Sequence, residues 1–204
     1  IDAGSGAVSV GRIGGTNESG EGIHSVAITS SHATGITLSG NITTSDKASN
    51  DVTFTGKVVI SGDVDIDTQS AGQDGDITFS STIKGAGGTD DLILDTGTGA
   101  ITFNANTVIG GDNTPLDTLT INSSSSNVAL TIPQIGSGTD AGVTGQVDIG
   151  NSATATVSMR DALYNFGTGT VTITASSAGT GTTFAKTDDV GVNLGGGDFK
   201  IDGK

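Results

Sequence analysis

The sequence predicts an all-β protein built as a parallel β-solenoid of about seven coils. Three observations support this fold class: a β-branched composition, short apolar triplets that recur along the chain, and an internal repeat. Ile and Val number 34 against 8 Leu, and β-branched side chains suit pleated, half-buried strands. Ile, Val, Leu and Phe supply 48 of the 204 residues, which is enough for the chain to fold.

The first predicted elements are strands of three to five residues, marked by triplets whose outer two residues are apolar. Side chains alternate between the two faces of a strand, so each triplet sends two apolar groups inward and one group outward. Gly, Asn, Asp and Ser fill the intervals, and the shorter intervals between triplet starts are 9 to 14 residues. In chain order the triplets are Ile36–Leu38, Val52–Phe54, Ile77–Phe79, Leu92–Leu94, Ile101–Phe103, Leu119–Ile121, Leu130–Ile132, Val147–Ile149, Val157–Met159, Val171–Ile173 and Phe199–Ile201.

One segment departs from this pattern. Residues 160–166 (RDALYNF) contain helix-forming residues without strict alternation. The segment is too short for more than one turn of helix over an end or edge of the stack.

The internal repeat has an offset of 93 residues. Residues 1–10 match residues 94–103 position for position in residue class. The sequence therefore predicts a single solenoid, 1–204, with two degenerate repeats, 1–93 and 94–186, and a terminal strand segment, 187–204. About 25 to 30 residues for each coil of three strands divide the chain into about seven coils. Two immunoglobulin-like sandwiches of about 93 residues each are the alternative.

The charge excludes several classes of partner. Eight Lys and Arg against 22 Asp and Glu give a net charge of −14. Nucleic acid and anionic membrane surfaces both require a basic face, so neither is expected to bind. No apolar run is long enough for membrane insertion. The chain has no Cys, and it opens at Ile1 in a strand-like phrase, which we interpret as a mature product or a segment of something longer.

Three carboxylates form a candidate metal site. Asp63, Asp65 and Asp67 occupy alternate positions, so they face one side of a strand about 6.6 Å apart. Calcium is the cofactor that this oxygen set would suit. The EF-hand pattern is incomplete, because Thr68 stands where that loop needs Gly. A solvated acidic face without metal is the alternative, and no other cofactor is expected.

The sequence does not predict an enzyme. Hydrolysis or elimination of acidic polysaccharides needs clustered acids or a base with a cationic clamp, whereas Arg12 and Arg160 lie far apart and the acidic surface would repel a polyuronate. Thr-x-Thr pairs raise ice binding as a minor alternative, but they do not recur at one fixed coil length. β-Propensity explains most of them.

Two further sets of residues are candidates for assembly and binding. The open ends of a solenoid recruit further strands unless they are capped, and neither end phrase contains an amphipathic cap. The assembly candidates are Ile1, Asp2, Ala3, Phe199, Lys200 and Ile201. Stacking would continue through further covalent repeats or through head-to-tail docking of identical chains into a homopolymer. Tyr164 and Phe166 are the only clustered aromatic residues and are the binding candidates.

The phrases Gly75–Phe79, Asp91–Asp95, Gly97–Phe103 and Pro115–Ile121 resemble repeats of the giant filamentous-haemagglutinin-like exoproteins and adhesins of bacteria. The resemblance is closest over residues 72–132. It implies a right-handed β-helix and an extracellular or cell-surface location, and it implies no catalytic residues. We therefore expect a structural segment of a surface fibre, stalk or adhesin shaft. The alternatives are an adhesin module that binds a glycan or partner protein on one face and a calcium-bridged, S-layer-like coat.

Overall fold

The protein is an all-β parallel solenoid, as the sequence predicts. A computed structural model describes residues 1–15, 23–45, 50–69, 74–124, 128–159, 161, 163–176, 181–184 and 191–203. These residues form 22 β-strands and no helix, and every pairing between the named strands is parallel. In this part of the chain there is accordingly no helix with the length and apolar character needed to cross a lipid bilayer.

The strands lie on three faces. The eight-stranded sheet contains β1 (Val8–Val10), β3 (Ile36–Leu38), β6 (Val58–Ile60), β9 (Ile83–Gly85), β12 (Val108–Ile109), β15 (Gln134–Ile135), β18 (Leu163–Asn165) and β21 (Gly191–Asn193). The seven-stranded sheet contains β4 (Ile42–Thr43), β7 (Val64–Asp67), β10 (Leu92–Asp95), β13 (Leu119–Asn122), β16 (Val147–Ile149), β19 (Val171–Thr174) and β22 (Phe199–Asp202). The third face is divided into a four-stranded sheet, β2 (Val26–Thr29), β5 (Val52–Thr55), β8 (Ile77–Phe79) and β11 (Ile101–Phe103), and a three-stranded sheet, β14 (Leu130–Ile132), β17 (Thr156–Met159) and β20 (Gly181–Phe184).

Each coil takes one strand from the third face, then one from the eight-stranded sheet and one from the seven-stranded sheet. The described strands from β2 onward fall into seven such groups. The seven strands of the seven-stranded sheet are separated by six turns of the chain. Directly paired residues lie from 22 positions apart, at Ile36 and Val58, to 29 positions apart, at Ile135 and Tyr164.

The 93-residue sequence match does not coincide with a whole number of coils. Val8–Val10 is β1 of the eight-stranded sheet, whereas the matching Ile101–Phe103 is β11 of the four-stranded sheet. The two copies therefore occupy different faces. All faces need the same alternation of inward apolar and outward polar residues, so one phrase can serve on any of them. The structural repeat of this stack is the single coil.

The core consists of rows of inward side chains, one member for each coil. On the eight-stranded sheet the row is Val8, Ile36, Val58, Ile83, Ile109, Ile135, Tyr164 and Val192. On the seven-stranded sheet one row is Ile42, Ile66, Leu94, Ile121, Ile149, Ile173 and Ile201. Within the stack these side chains are almost completely buried. Burial of such apolar rows stabilises the fold.

A row of three phenylalanines crosses the four-stranded sheet. Phe54, Phe79 and Phe103 are in register on β5, β8 and β11. The ring centroids are 5.1 Å apart between the first two and 5.8 Å apart between the second two, with stacked planes. Stacked rings stabilise a pair beyond the area that they bury.

The short helix predicted for residues 160–166 is wrong. Leu163–Asn165 forms β18, and Phe166 makes a parallel bridge to Val143; residues 160 and 162 lie outside the described residues. Tyr164 points inward, donates its hydroxyl to the Ile132 carbonyl at 3.0 Å and accepts the Asp161 N–H at 2.9 Å. The burial of Tyr164 in the inward row, with its hydroxyl hydrogen-bonded on both sides, stabilises the strand more than the weak local helix propensity favours a helix.

Aspartates fix the corners between coils. Asp51 accepts the backbone N–H of Asp76 at 2.9 Å, and Asp76 in turn accepts that of Ala100 at 2.7 Å, one coil further on. Corner N–H groups have no strand partner, and a short carboxylate one coil away satisfies them. This use explains part of the high Asp content.

Candidate functional site

Two depressions on the solenoid sides contain the charged residues of interest. The first, on the seven-stranded sheet, is an acidic cleft of about 320 Å³ whose acidic residues are Asp63, Asp65 and Asp91. The exposed side chain of Ile93 lies among them. Asp91 accepts the Thr118 N–H at 3.0 Å, so this carboxylate holds the corner of the next coil.

In the acidic cleft, the carboxylate of Asp65 is poorly solvated. Its Oδ1 is buried and has no hydrogen-bond partner among the described residues. Burial raises the pKa of the Asp65 carboxyl, and the nearby negative charge of Asp95 raises it further. The charged form of Asp65 is therefore less stable in the folded chain than in water.

The predicted calcium ligands do not converge. Asp63, Asp65 and Asp67 follow the strand at alternate positions, and Asp67 accepts the Gln69 N–H of its own turn at 2.8 Å. Among the described residues no group of three or more His, Cys, Asp and Glu side chains is placed to hold a metal ion. Carboxylates spaced along one extended strand cannot surround a single ion, so we derive no calcium chemistry from this set.

Asp65→Asn is expected to raise the free energy of unfolding at pH 7 by up to about 1 kcal/mol, because the amide removes a poorly solvated charge. A raised pKa means that the folded chain binds the proton more readily than the unfolded chain. The wild-type protein therefore gains stability as pH falls from above the folded pKa towards the unfolded value. The advantage of the variant should shrink over that pH range, as measured by urea unfolding.

Asp148→Asn is the matched control. Asp148 lies on the outer face of the same sheet, but its carboxylate accepts the Gln146 side-chain amide at 2.5 Å. This substitution should not stabilise the chain. An equal gain from both substitutions would show that relief of the overall negative charge, rather than the unpaired oxygen of Asp65, is responsible.

The second depression, on the eight-stranded sheet, is a groove of about 440 Å³ that we name the lysine groove. It is lined by Ala33, Thr34, Val59, Lys84, Ala86 and Thr114. Val59 forms its floor, at an outward position between Thr37 and Lys84. The turn before β3 forms one wall and the loops after β9 and β12 form the other.

Two ammonium groups meet one carboxylate beside the lysine groove. Lys57 Nζ lies 2.5 Å from Asp112 Oδ2, and Lys84 Nζ lies 3.6 Å from the same oxygen. The hydrogen bond from Lys57 is the main reason that the pKa of Asp112 lies below its usual range, and the charge of Lys84 contributes. The pairs are partly solvated, so their contribution to stability is small.

The predicted aromatic binding residues are core residues. Tyr164 and Phe166 are 0% and 2% exposed, and they pack within the stack. Neither ring is presented to a ligand at the surface, and a binding role for this pair is not retained.

The six assembly candidates lie at the two ends of the stack. The Ile1 ammonium donates to the Ala27 carbonyl at 2.7 Å, Asp2 bridges to Thr29, and Ala3 N–H donates to the Thr29 carbonyl at 3.0 Å.

At the other end, Phe199 and Ile201 extend the inward rows of the seven-stranded sheet, while Lys200 points outward and pairs with Asp202 at 3.0 Å. All six therefore belong to the first or last rung.

Threonines form one short outward row on the four-stranded sheet. Thr53, Thr78 and Thr102 are in register on successive strands, and Ala27 stands at the same place on β2. The pattern of Thr-x-Thr pairs in the sequence did not identify this row, because its members come from different triplets. Three rungs make a narrow flat surface.

The comparisons with known proteins add no relative. No protein-family model, curated protein or solved structure matches the chain. The resemblance to filamentous-haemagglutinin-like exoproteins therefore stays a prediction, and the function rests on the geometry of the solenoid.

Proposed function

We propose that this chain is a structural repeat segment of an extracellular surface fibre, stalk or adhesin shaft, extended by stacking of β-coils. One observation carries the proposal: the inward rows run from rung to rung and, at the end formed by β21 and β22, stop on uncovered core residues. Val192 is 38% exposed and Ile201 is 43% exposed, although both occupy positions that are buried in the preceding coils. One more coil on this end would cover them.

The strand edges support the same function. β1 and β21 are the outer strands of the eight-stranded sheet, and β22 is an outer strand of the seven-stranded sheet. Within the described ranges no strand pairs with these outer edges, so each presents one row of backbone groups to which a further parallel strand can bond. Such strands come from additional covalent coils or from the first rung of a second copy. Head-to-tail contact of this kind is heterologous and produces a filament rather than a closed ring.

The sides of the stack suit a shaft. They carry Asp, Thr and Ser between the corners, and the net charge of −14 opposes side-to-side association of neighbouring fibres. Growth is therefore directed to the ends, and at the end formed by β21 and β22 exposed apolar side chains lie on the outer strands.

Ile201→Lys is expected to abolish end-to-end assembly of the 204-residue chain, since a new coil would have to bury an unpaired ammonium group against Ile173 and its row. The wild-type chain should form filaments that light scattering and negative-stain electron microscopy detect. Ile93→Lys is the matched control, because Ile93 is 39% exposed but points outward in the middle of the stack. It should assemble like the wild type.

Two results would contradict the proposed docking of copies. One is a wild-type chain that stays monomeric at every concentration tested. The other is undiminished filament growth by the Ile201→Lys variant. Loss of assembly in both variants would attribute the effect to added positive charge instead of to the stack end.

A second function has its own supporting observation. The lysine groove is a concave, partly cationic surface on an otherwise acidic chain, and a binding module on one solenoid face would use such a surface.

A further inference from the structure

We infer that the lysine groove binds a small, singly charged sugar acid, with Lys84 as the residue that contacts its carboxylate. The inference does not rest on end-to-end assembly, because the groove lies on one side of the stack and not at either end. It rests on four features of the groove: its charge, its built walls, its floor and the hydrogen-bonding groups around it.

The charge comes from Lys57, Lys84 and Asp112. Lys57 takes the closer position on the shared carboxylate, at 2.5 Å, and leaves Lys84 at 3.6 Å as the weaker partner. Only Lys84 of the two lines the groove. A ligand carboxylate can therefore bind Lys84 while Asp112 keeps its bond to Lys57.

Asp90 is a further carboxylate near the groove, since its Oδ2 would lie 2.9 Å from a Cβ added at Gly85, a lining residue. It accepts the N–H groups of Gly62, Ala86 and Gly87 at 2.7 Å each. Burial would raise the pKa of Asp90, but these backbone hydrogen bonds outweigh it and lower the pKa. Its negative charge is thus buried and already compensated by N–H dipoles, so it opposes an anion in the groove only weakly.

Two residues in the loop after β12, beside the groove, have a left-handed backbone conformation. Asp112 and Asn113 both have φ of 56°, a left-handed conformation that residues other than Gly seldom adopt. This conformation holds Asp112 over the outer face, where both lysines reach it. On the opposite wall, the Thr34 N–H donates to His32 Nδ1 at 3.1 Å. The groove is therefore shaped before any ligand arrives.

The floor and rim fit a hydroxylated ligand. Val59 is only 8% exposed although it points outward, so the walls already shelter it from water, and it offers a small apolar contact. Thr34 and Thr114 line the groove, and the Thr114 hydroxyl, which donates to the Asp112 carbonyl at 3.2 Å, can still accept a hydrogen bond. A volume of about 440 Å³ suits one or two sugar units.

Two other anionic partners fit less well. An extended acidic peptide usually adds as a strand, but β6 and β9 below the groove are paired on both sides and have no free edge. A polyanion would meet the repulsion of a chain with net charge −14. A sugar acid with a single carboxylate can contact Lys84 and is repelled less by the acidic chain than a polyanion is.

The test is calorimetric titration of the full chain with D-glucuronate, and with D-glucose as the uncharged counterpart. Glucuronate should bind saturably and glucose at least about tenfold more weakly, as expected for loss of a charged hydrogen bond. Methyl β-D-glucuronide distinguishes the source of the ligand: binding equal to that of free glucuronate indicates the terminal unit of a glycan, and loss of binding indicates the free acid.

Variants assign the contact. Lys84→Gln should weaken glucuronate binding about tenfold or more, and Lys84→Arg should retain most of it. Arg12→Gln, which changes an exposed cation that does not line the groove, should leave binding unchanged. Circular dichroism of each variant shows whether the fold is kept. The proposal is overturned if glucuronate does not bind, if glucose binds equally, if folded Lys84→Gln binds normally, or if a triaspartate peptide binds more tightly than glucuronate.

Discussion

Phe79→Ala is expected to lower the free energy of unfolding by about 3 to 5 kcal/mol. The side chain is fully buried and stacks on Phe54 on one side and on Phe103 on the other. The hydrogen-bonded ladders of β5, β8 and β11 set the distance between rungs, so the neighbouring rings cannot move together to fill the space. The cavity term therefore adds to the lost burial. Urea unfolding followed by circular dichroism measures the change.

Phe103→Ala is the control within the same row. Phe103 is only partly buried and stacks on one ring of the row, Phe79, so its removal should cost about half as much. Equal losses at both positions would mean that the two-sided stacking of Phe79 adds nothing. A much smaller loss at Phe79 would mean that the coils shift to close the cavity.

Local alternation was sufficient to predict the strands. Val147–Ile149 and Ile101–Phe103 are strands with the predicted bounds, and the inward residues of Val147–Ile149 are fully buried. Alternation is a property of three successive residues, so it survives without knowledge of the remaining chain. The face to which a strand belongs depends on the lengths of all corners before it. For this reason the 93-residue match did not predict which face of the solenoid each strand occupies.

The sites were much less predictable than the strands. Lys57, Lys84 and Asp112 are separated by 27 and 28 positions, and coil lengths vary between 22 and 29 residues. A shift of one residue in any corner moves a side chain to the opposite face. No pattern in the sequence could therefore place the three charges together, and the lysine groove was missed. The acid-rich stretch Asp63–Asp67 was conspicuous in the sequence, but its carboxylates are spread along one strand.

Tyr164 shows how composition misled the prediction. Aromatic residues are scarce here, so a Tyr beside a Phe in a segment with helix-forming residues suggested an exposed binding patch. The structure uses both as large core residues: Tyr164 lies in a row otherwise filled by Ile and Val, and Phe166 bridges to Val143. A buried Tyr needs hydrogen-bond partners for its hydroxyl. The Asp161 N–H is close to Tyr164 in sequence, whereas the Ile132 carbonyl belongs to the preceding coil. Only the hydrogen bond to the Ile132 carbonyl depends on the stacking of coils.

Gly150→Ala is expected to destabilise the chain by about 3 kcal/mol or more, a loss of the size associated with backbone strain and overpacking. Gly150 has φ of +75°, and a Cβ at this position would lie 2.3 Å from the carbonyl oxygen of Thr174 in the next coil. Its N–H also donates to the Ile121 carbonyl of the previous coil at 2.7 Å. Relief of the clash must therefore stretch the spacing between rungs, on which β16 and β19 depend. Urea unfolding measures the loss.

Gly88→Ala separates the two causes of that loss. Gly88 has nearly the same φ, +77°, but a Cβ there would meet no atom within 4 Å. The substitution should cost only the left-handed backbone preference, about 1 to 2 kcal/mol. The difference between the two variants is then the steric cost of close coil stacking at the corner. Equal losses would show that backbone conformation alone requires glycine at these corners and that the coils tolerate a methyl group between them.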